Sequence, residues 1–158
     1  MYAESLSSPL QGRVVYREGD LAFDFEPSDL ADLRRRRFEV GTLVAETLSV
    51  EVGLPQGIIL YAWGYSPWQA WLTVPGAPVD VVDGVVMIDP EGIVPGVGFS
   101  LQKDESDVWW TQYDPESGWC NVTNGRRDAV ATRVATDTVI GTDETGITSV
   151  WLRPTFLP

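Results

Sequence analysis

The chain has 158 residues, 44% of them hydrophobic, with 23 acidic against 11 basic side chains and a net charge of −12. This length and composition fit a single globular domain over residues 1–158 and exclude wholesale disorder. Such a charge repels phosphate backbones and anionic lipid headgroups, so neither nucleic acid nor a membrane is expected as partner, and no apolar stretch nears the roughly 20 residues of a spanning helix.

Residues 1–10 contain Glu4 and several serines, with neither a basic start nor an apolar run. They read as a flexible tail and not as a signal peptide, which points to the cytoplasm. Val14, Val15 and Tyr16 form a first strand, and Leu21, Phe23 and Phe25 alternate with polar neighbours in a second. Glu18-Gly19-Asp20 joins them as a hairpin. Pro27-Ser28-Asp29 opens a short helix near residues 28–37, with Ser28 as cap and Arg34 to Arg37 at its negative end. From Phe38 to Val52 the pattern is one long strand, bent or bulged near Gly41.

Pro55-Gln56-Gly57 is a turn, followed by strands over 58–63 and 68–74. Asp83-Gly84 predicts a tight hairpin between 79–82 and 85–88. Further strands are expected over 97–103, 108–113, 119–123, 129–140 and 147–152, with Asn124-Gly125 as a turn and 154–158 as a second flexible tail. Many short strands with one helix predict an all-β chain, an antiparallel β-barrel or, alternatively, a two-sheet sandwich.

Histidine is absent and tryptophan occurs seven times. Imidazole relays and histidine-containing metal sites are thereby excluded. The sequence calls for no cofactor and no metal. Gly96-Val97-Gly98 is only a fragment of a phosphate loop. Asp104, Glu105 and Asp107 do not have the spacing of a calcium loop. Asn121-Val122-Thr123 matters as a glycosylation acceptor only in an exported chain. Cys120, the only cysteine, cannot form an internal disulfide, which fits a reducing compartment, and reads as a small buried apolar residue.

The candidate ligand-binding residues are aromatic: Tyr61, Trp63, Tyr65, Trp68 and Trp71, with Trp109 and Trp110 further on. Not all can point inward, so some aromatic surface is expected at a rim or pocket. Glu46 interrupts an apolar strand face and is the candidate catalytic acid if that face lines a barrel. Arg133 is either a partner for Glu46 or for a ligand carboxylate, or an ordinary surface arginine.

Between Phe38 and Gly125, Lys103 is the only basic side chain among twelve acids. Two functions fit these features. One is a non-catalytic acidic binding protein of the immunity or inhibitor kind, steering a basic protein partner onto an aromatic patch. The other is a cofactor-free barrel enzyme, a cyclase or isomerase, or a carrier, with a tryptophan-lined pocket for an apolar small molecule. Sugar binding on an aromatic platform is a third option, and a homodimer is left open.

Overall fold

The computed structural model describes residues 8–158. Its strands are β1 (Gly12–Arg17), β2 (Ala22–Pro27), β3 (Glu39–Ala45), β4 (Leu48–Leu54), β5 (Ile58–Tyr65), β6 (Leu72–Thr73), β7 (Val82–Asp83), β8 (Gly98–Ser100), β9 (Trp110–Tyr113), β10 (Cys120–Thr123), β11 (Val130–Ala135), β12 (Thr138–Asp143), β13 (Gly146–Leu152) and β14 (Thr155–Leu157). A helix, α1 (Leu30–Arg35), follows β2, and a 3-10 turn spans Trp68–Ala70.

The strands form two seven-stranded sheets. The first runs β14-β1-β2-β5-β4-β3-β8 and the second β6-β9-β10-β13-β12-β11-β7. These orders are the same order written twice. Strands β1 to β5 make a unit with order 1-2-5-4-3, and β9 to β13 make a second unit with that order. Each unit also receives a parallel strand beside its first strand from the segment that follows the other unit. Thus β6, after β5, pairs with β9, while β14, after β13, pairs with β1. The linker adds a parallel strand to each far edge, β7 on β11 and β8 on β3.

The duplication extends to register. Ser49 faces Trp63 in the first unit and Val139 faces Trp151 in the second. Two residues along, the pairing slips by one residue in both, between Glu51 and Val52 and between Gly141 and Thr142. A bulge at a matching place in both units bends each sheet over its neighbour.

Alternation supplies the core. Leu43, Leu48, Val50, Leu60 and Ala62 of the first sheet meet Cys120, Val122, Ile140, Val150 and Leu152 of the second in one buried cluster. Each such large aliphatic, fully buried, contributes about 1.5–3 kcal/mol.

The all-β class and the short helix are as the sequence predicts, but the barrel is not formed: neither sheet closes, and the architecture is sandwich-like. The reason is topological. An up-and-down barrel needs a continuing meander, and here β5 returns beside β2, placing β3 towards an edge of the same unit.

Four local expectations also change. The helix is capped by Asp29, whose carboxylate accepts from the Asp32 N–H, and Ser28 does not cap it. The long strand from Phe38 breaks at Glu46, which takes φ 57° in the β3–β4 turn. The hairpin at Asp83-Gly84 does not form. Asp83 is held by Arg133 at 2.8 Å, and the Gly84 N–H donates to the Arg133 carbonyl, so β7 joins β11 instead. Residues 129–140 divide into β11 and β12 around Asp137, which has φ 52°.

The C-terminal segment read as a tail is strand β14, paired with β1. Of the N-terminal tail, residues 1–7 lie outside the described residues, whereas Leu10 is buried and bridges to Ala135. No helix among the described residues is long and apolar enough to cross a membrane.

Candidate functional site

The exchanged strands bring Tyr16 of β1 and Tyr113 of β9 to matching positions, each beside the strand donated by the other unit. Trp71, just before β6, lies between them. Its ring is 4.9 Å from Tyr16, 5.7 Å from Phe23 and 5.4 Å from Tyr113. Phe156 of β14 completes the set, 5.7 Å from both Tyr16 and Tyr113. Offset and edge-on pairs of this kind each add about 0.5–1.5 kcal/mol beyond burial.

Hydrogen bonds fix this cluster. The Tyr16 hydroxyl donates to the Ser66 carbonyl at 2.7 Å and accepts from the Trp68 N–H at 3.1 Å. The Trp71 indole donates to the Ser66 hydroxyl at 2.9 Å. Burial pushes the phenols of Tyr16 and Tyr113 above their ordinary values, so both stay neutral donors over the physiological range.

Above the cluster is an open groove of about 350 Å³ lined by Trp68, Trp71, Thr73, Tyr113, Phe156 and, at its rim, Glu18. Trp68 is 53% exposed. Flat aromatic walls beside one carboxylate can stack on a planar or cationic group and neutralise it. A second groove, also about 350 Å³, is lined by Leu43, Ile93, Phe99 and Leu101 together with charged side chains that include Asp89, Glu91, Lys103 and Arg126.

No family model and no curated protein matches this chain.

Tyr61, Trp63 and Tyr65 share the outer face of β5. Tyr61 is half-buried and stacks on Phe25 at 5.2 Å, while Trp63 and Tyr65 are exposed. Trp109 is buried with its indole N–H unpartnered, and Trp110 is half-buried beside Gly125. These residues are therefore not one site. Trp68 and Trp71 form the groove, Trp63 and Tyr65 lie on a sheet face, and Trp109 fills core.

Glu46 is exposed in its turn and accepts from the Thr111 hydroxyl at 2.9 Å. It faces no interior because the turn, not a strand, carries it. Arg133 is exposed on β11 and paired with Asp83, not with Glu46. Cys120 is buried, and desolvation pushes its thiol far above the ordinary range, which suits packing and not nucleophilic attack.

Two carboxylates escaped sequence reading. Glu51 of β4 is 6% exposed; one oxygen accepts from the Trp63 indole and the other, Oε2, has no partner. Desolvation raises its pKa, against the hydrogen bond from Trp63, the charge of Arg37 and a hydrogen bond from Thr42.

In the second unit the position of Glu51 is Gly141. A Cβ there would overlap the carboxylate of Asp128, so Asp128 takes the place of the missing side chain. Asp128 accepts from the Thr148 hydroxyl at 2.6 Å, the Ser149 hydroxyl at 2.7 Å and the Trp151 indole at 2.9 Å. Trp63 and Trp151 thus make matching indole–carboxylate bonds. Asp128 has three side-chain donors, whereas Glu51 has the Trp63 indole and a hydrogen bond from the Thr42 side chain.

The raised pKa of Glu51 sets a pH dependence. Its folded form binds the proton more tightly than the unfolded chain, so its acid form favours folding. That contribution is complete below the unfolded pKa and is lost as pH rises through the folded value. Glu51→Gln is expected to raise stability at neutral pH, because it removes a buried charge and keeps the acceptor for Trp63. It should also flatten the decline between the unfolded and folded pKa values. Urea melts across pH check this; an unchanged pH profile would contradict it.

Proposed function

We propose that this chain is a non-catalytic binding protein for a basic protein partner, of the immunity or inhibitor kind. The observation that carries the reading is the segment joining the two units. From Trp71 to Trp109 it holds seven acids and one lysine, a net of 1 − 7 = −6. It also holds nine of the sixteen exposed large apolar side chains among the described residues, including Val79, Met87 and Phe99. An apolar surface set in one sign of charge steers an oppositely charged partner and then holds it by desolvated contact.

The aromatic groove opens at the start of this segment, through Trp71 and Thr73, and Glu18 adds a further acid. An arginine or lysine of the partner seated over Trp68 would meet both an indole face and a carboxylate. A cytoplasmic setting is part of the proposal and rests on the lone buried cysteine.

The test is kinetic. Association with an arginine-rich peptide is expected to slow steeply as salt rises, because steering acts over about a Debye length. Trp68→Ala should weaken binding at least tenfold, the loss expected of a hot-spot aromatic. Stopped-flow fluorescence reads the rate, and a salt-independent rate would refute the proposal.

A second reading, carriage of an apolar small molecule, draws support from the groove lined by Leu43, Ile93, Phe99 and Leu101. Its volume of about 350 Å³ lies within the range of small-molecule sites. A fatty acid displaced by Leu43→Trp would favour it.

A further inference from the structure

The rings of the aromatic groove do not lie parallel. Trp71, Tyr113 and Phe156 meet as a corner: Trp71 is inclined to Tyr113 by 51° and to Phe156 by 58°, and Tyr113 to Phe156 by 71°. Trp68 lines the same groove but makes no ring contact among the described residues, so a gap separates it from that corner. The Trp71 indole N–H is committed to the Ser66 hydroxyl, so this ring brings the groove no donor.

Charge in the lining comes from Glu18 alone. Its backbone N–H donates to the Leu157 carbonyl at 2.9 Å, which ties it to the strand that carries Phe156. Among the described residues the Glu18 carboxylate has no hydrogen bond and no ion pair. Its neighbour Arg17 is held elsewhere, by Glu26 at 2.9 Å and Asp24 at 4.0 Å. An unneutralised carboxylate therefore stands at the rim of a groove walled by four aromatic rings.

We propose, building on the reading of this groove as a seat for a partner's cation, that it is a site for a quaternary ammonium group. With a basic protein as partner, that group is a trimethylated lysine. Aromatic faces attract a cation through the ring quadrupole, and shape and hydration decide which cation. A planar guanidinium stacks best between parallel plates, and the corner offers none. A round trimethylammonium head touches several inclined rings at once. A lysine ammonium has three N–H donors to satisfy. The side-chain acceptors in the lining are the Glu18 carboxylate and the hydroxyls of Thr73 and Tyr113. On each side that faces a ring, the ammonium loses water without a replacement. A trimethylammonium keeps the charge, has no N–H to leave unpartnered, and buries methyl groups against the rings. Glu18 balances its charge without needing a hydrogen bond from it. Unmethylated lysine and arginine still bind, but at the open mouth with their water.

Calorimetric titration of the full chain with basic peptides of one sequence tests it. The central lysine is left unmodified, trimethylated, or replaced by the neutral isostere with carbon in place of the charged nitrogen. The trimethylated peptide is expected to bind about tenfold tighter than either of the others, and tetramethylammonium chloride should displace it. Trp68→Ala and Glu18→Gln, both at exposed positions, should each cut that preference about threefold. Trp63→Ala, on a different face, should leave it unchanged. Equal affinity for the trimethylated and unmodified peptides would overturn the quaternary ammonium site and leave the basic-partner reading in place. Equal affinity for the trimethylated peptide and its isostere would overturn it as well, because methyl burial and not charge would then hold the ligand. Binding of tetramethylammonium or choline, with no salt-dependent association of any basic peptide, would uphold the site, assign it to a free small molecule and overturn the basic-partner reading.

Discussion

Replacing Trp71 by alanine is expected to cost about 3 kcal/mol of folding stability, the low end of the range for a core aromatic because the ring is half-buried and borders an open groove. The ring touches Tyr16 and Phe23 of the first unit, Tyr113 of the second and Phe156 of the exchanged strand β14. No neighbour can fill the space, because each is held on its own strand, and the Ser66 hydroxyl would lose the indole that donates to it. Trp71→Phe keeps ring area and gives up only that hydrogen bond, so it should cost nearer 1 kcal/mol. Guanidinium melts followed by circular dichroism distinguish the two. Equal, small losses for both variants would mean that the cluster does not join the units.

The second large effect is expected at Asp128. Its carboxylate is the acceptor for Thr148, Ser149 and Trp151 together, and Thr148 and Ser149 are almost fully buried. Asp128→Ala leaves these donors without a partner, and each buried unsatisfied group costs about 1–3 kcal/mol. A total near 3 kcal/mol is expected, since a pocket beside Asp128 leaves room for water on one side. Asp128→Asn keeps one acceptor oxygen and should lose about half as much. The contrast with Glu51→Gln is the sharper result. Removal of the carboxylate destabilises the second unit, whereas neutralising its counterpart stabilises the first. If both substitutions moved stability in the same direction, the different bonding of the two carboxylates would carry no meaning.

Much of the strand content was legible in the sequence. The β1–β2 hairpin follows from Leu21-Phe23-Phe25 alternation and Glu18-Gly19-Asp20, and α1 from Pro27 and its polar neighbours. The breaks at Glu46 and Asp137 were not legible, because both residues adopt positive φ without being glycine. Only pairing with the next strand makes that conformation worthwhile. The Asp83-Gly84 signal misled for a related reason: Arg133, fifty positions away, bonds Asp83 and draws β7 to β11.

The duplication was hidden for a different reason. Backbone pairing repeats while side chains do not. Trp63 and Trp151 persist, but the carboxylate that each indole bonds comes from β4 in one unit and from the segment before β11 in the other. No fixed spacing connects the two. Glu51 lies on the polar side of its alternation and looks solvated; Trp63, which bonds it, and Arg37, whose charge acts on it, belong to other parts of the chain. The groove was partly visible in Trp68 and Trp71. Phe156 and Glu18 joined it only through β14, an element read as a tail.

The most direct test of the central claim, that the aromatic groove and acidic linker are the partner-binding surface, is a titration of the protein with an arginine-rich peptide, followed through the tryptophan indole N–H signals by NMR. The Trp68 and Trp71 signals are expected to shift together and saturably at low salt, while the Trp109 and Trp151 signals stay in place. Uniform small shifts of every indole, or movement that leaves Trp68 and Trp71 untouched, would contradict it.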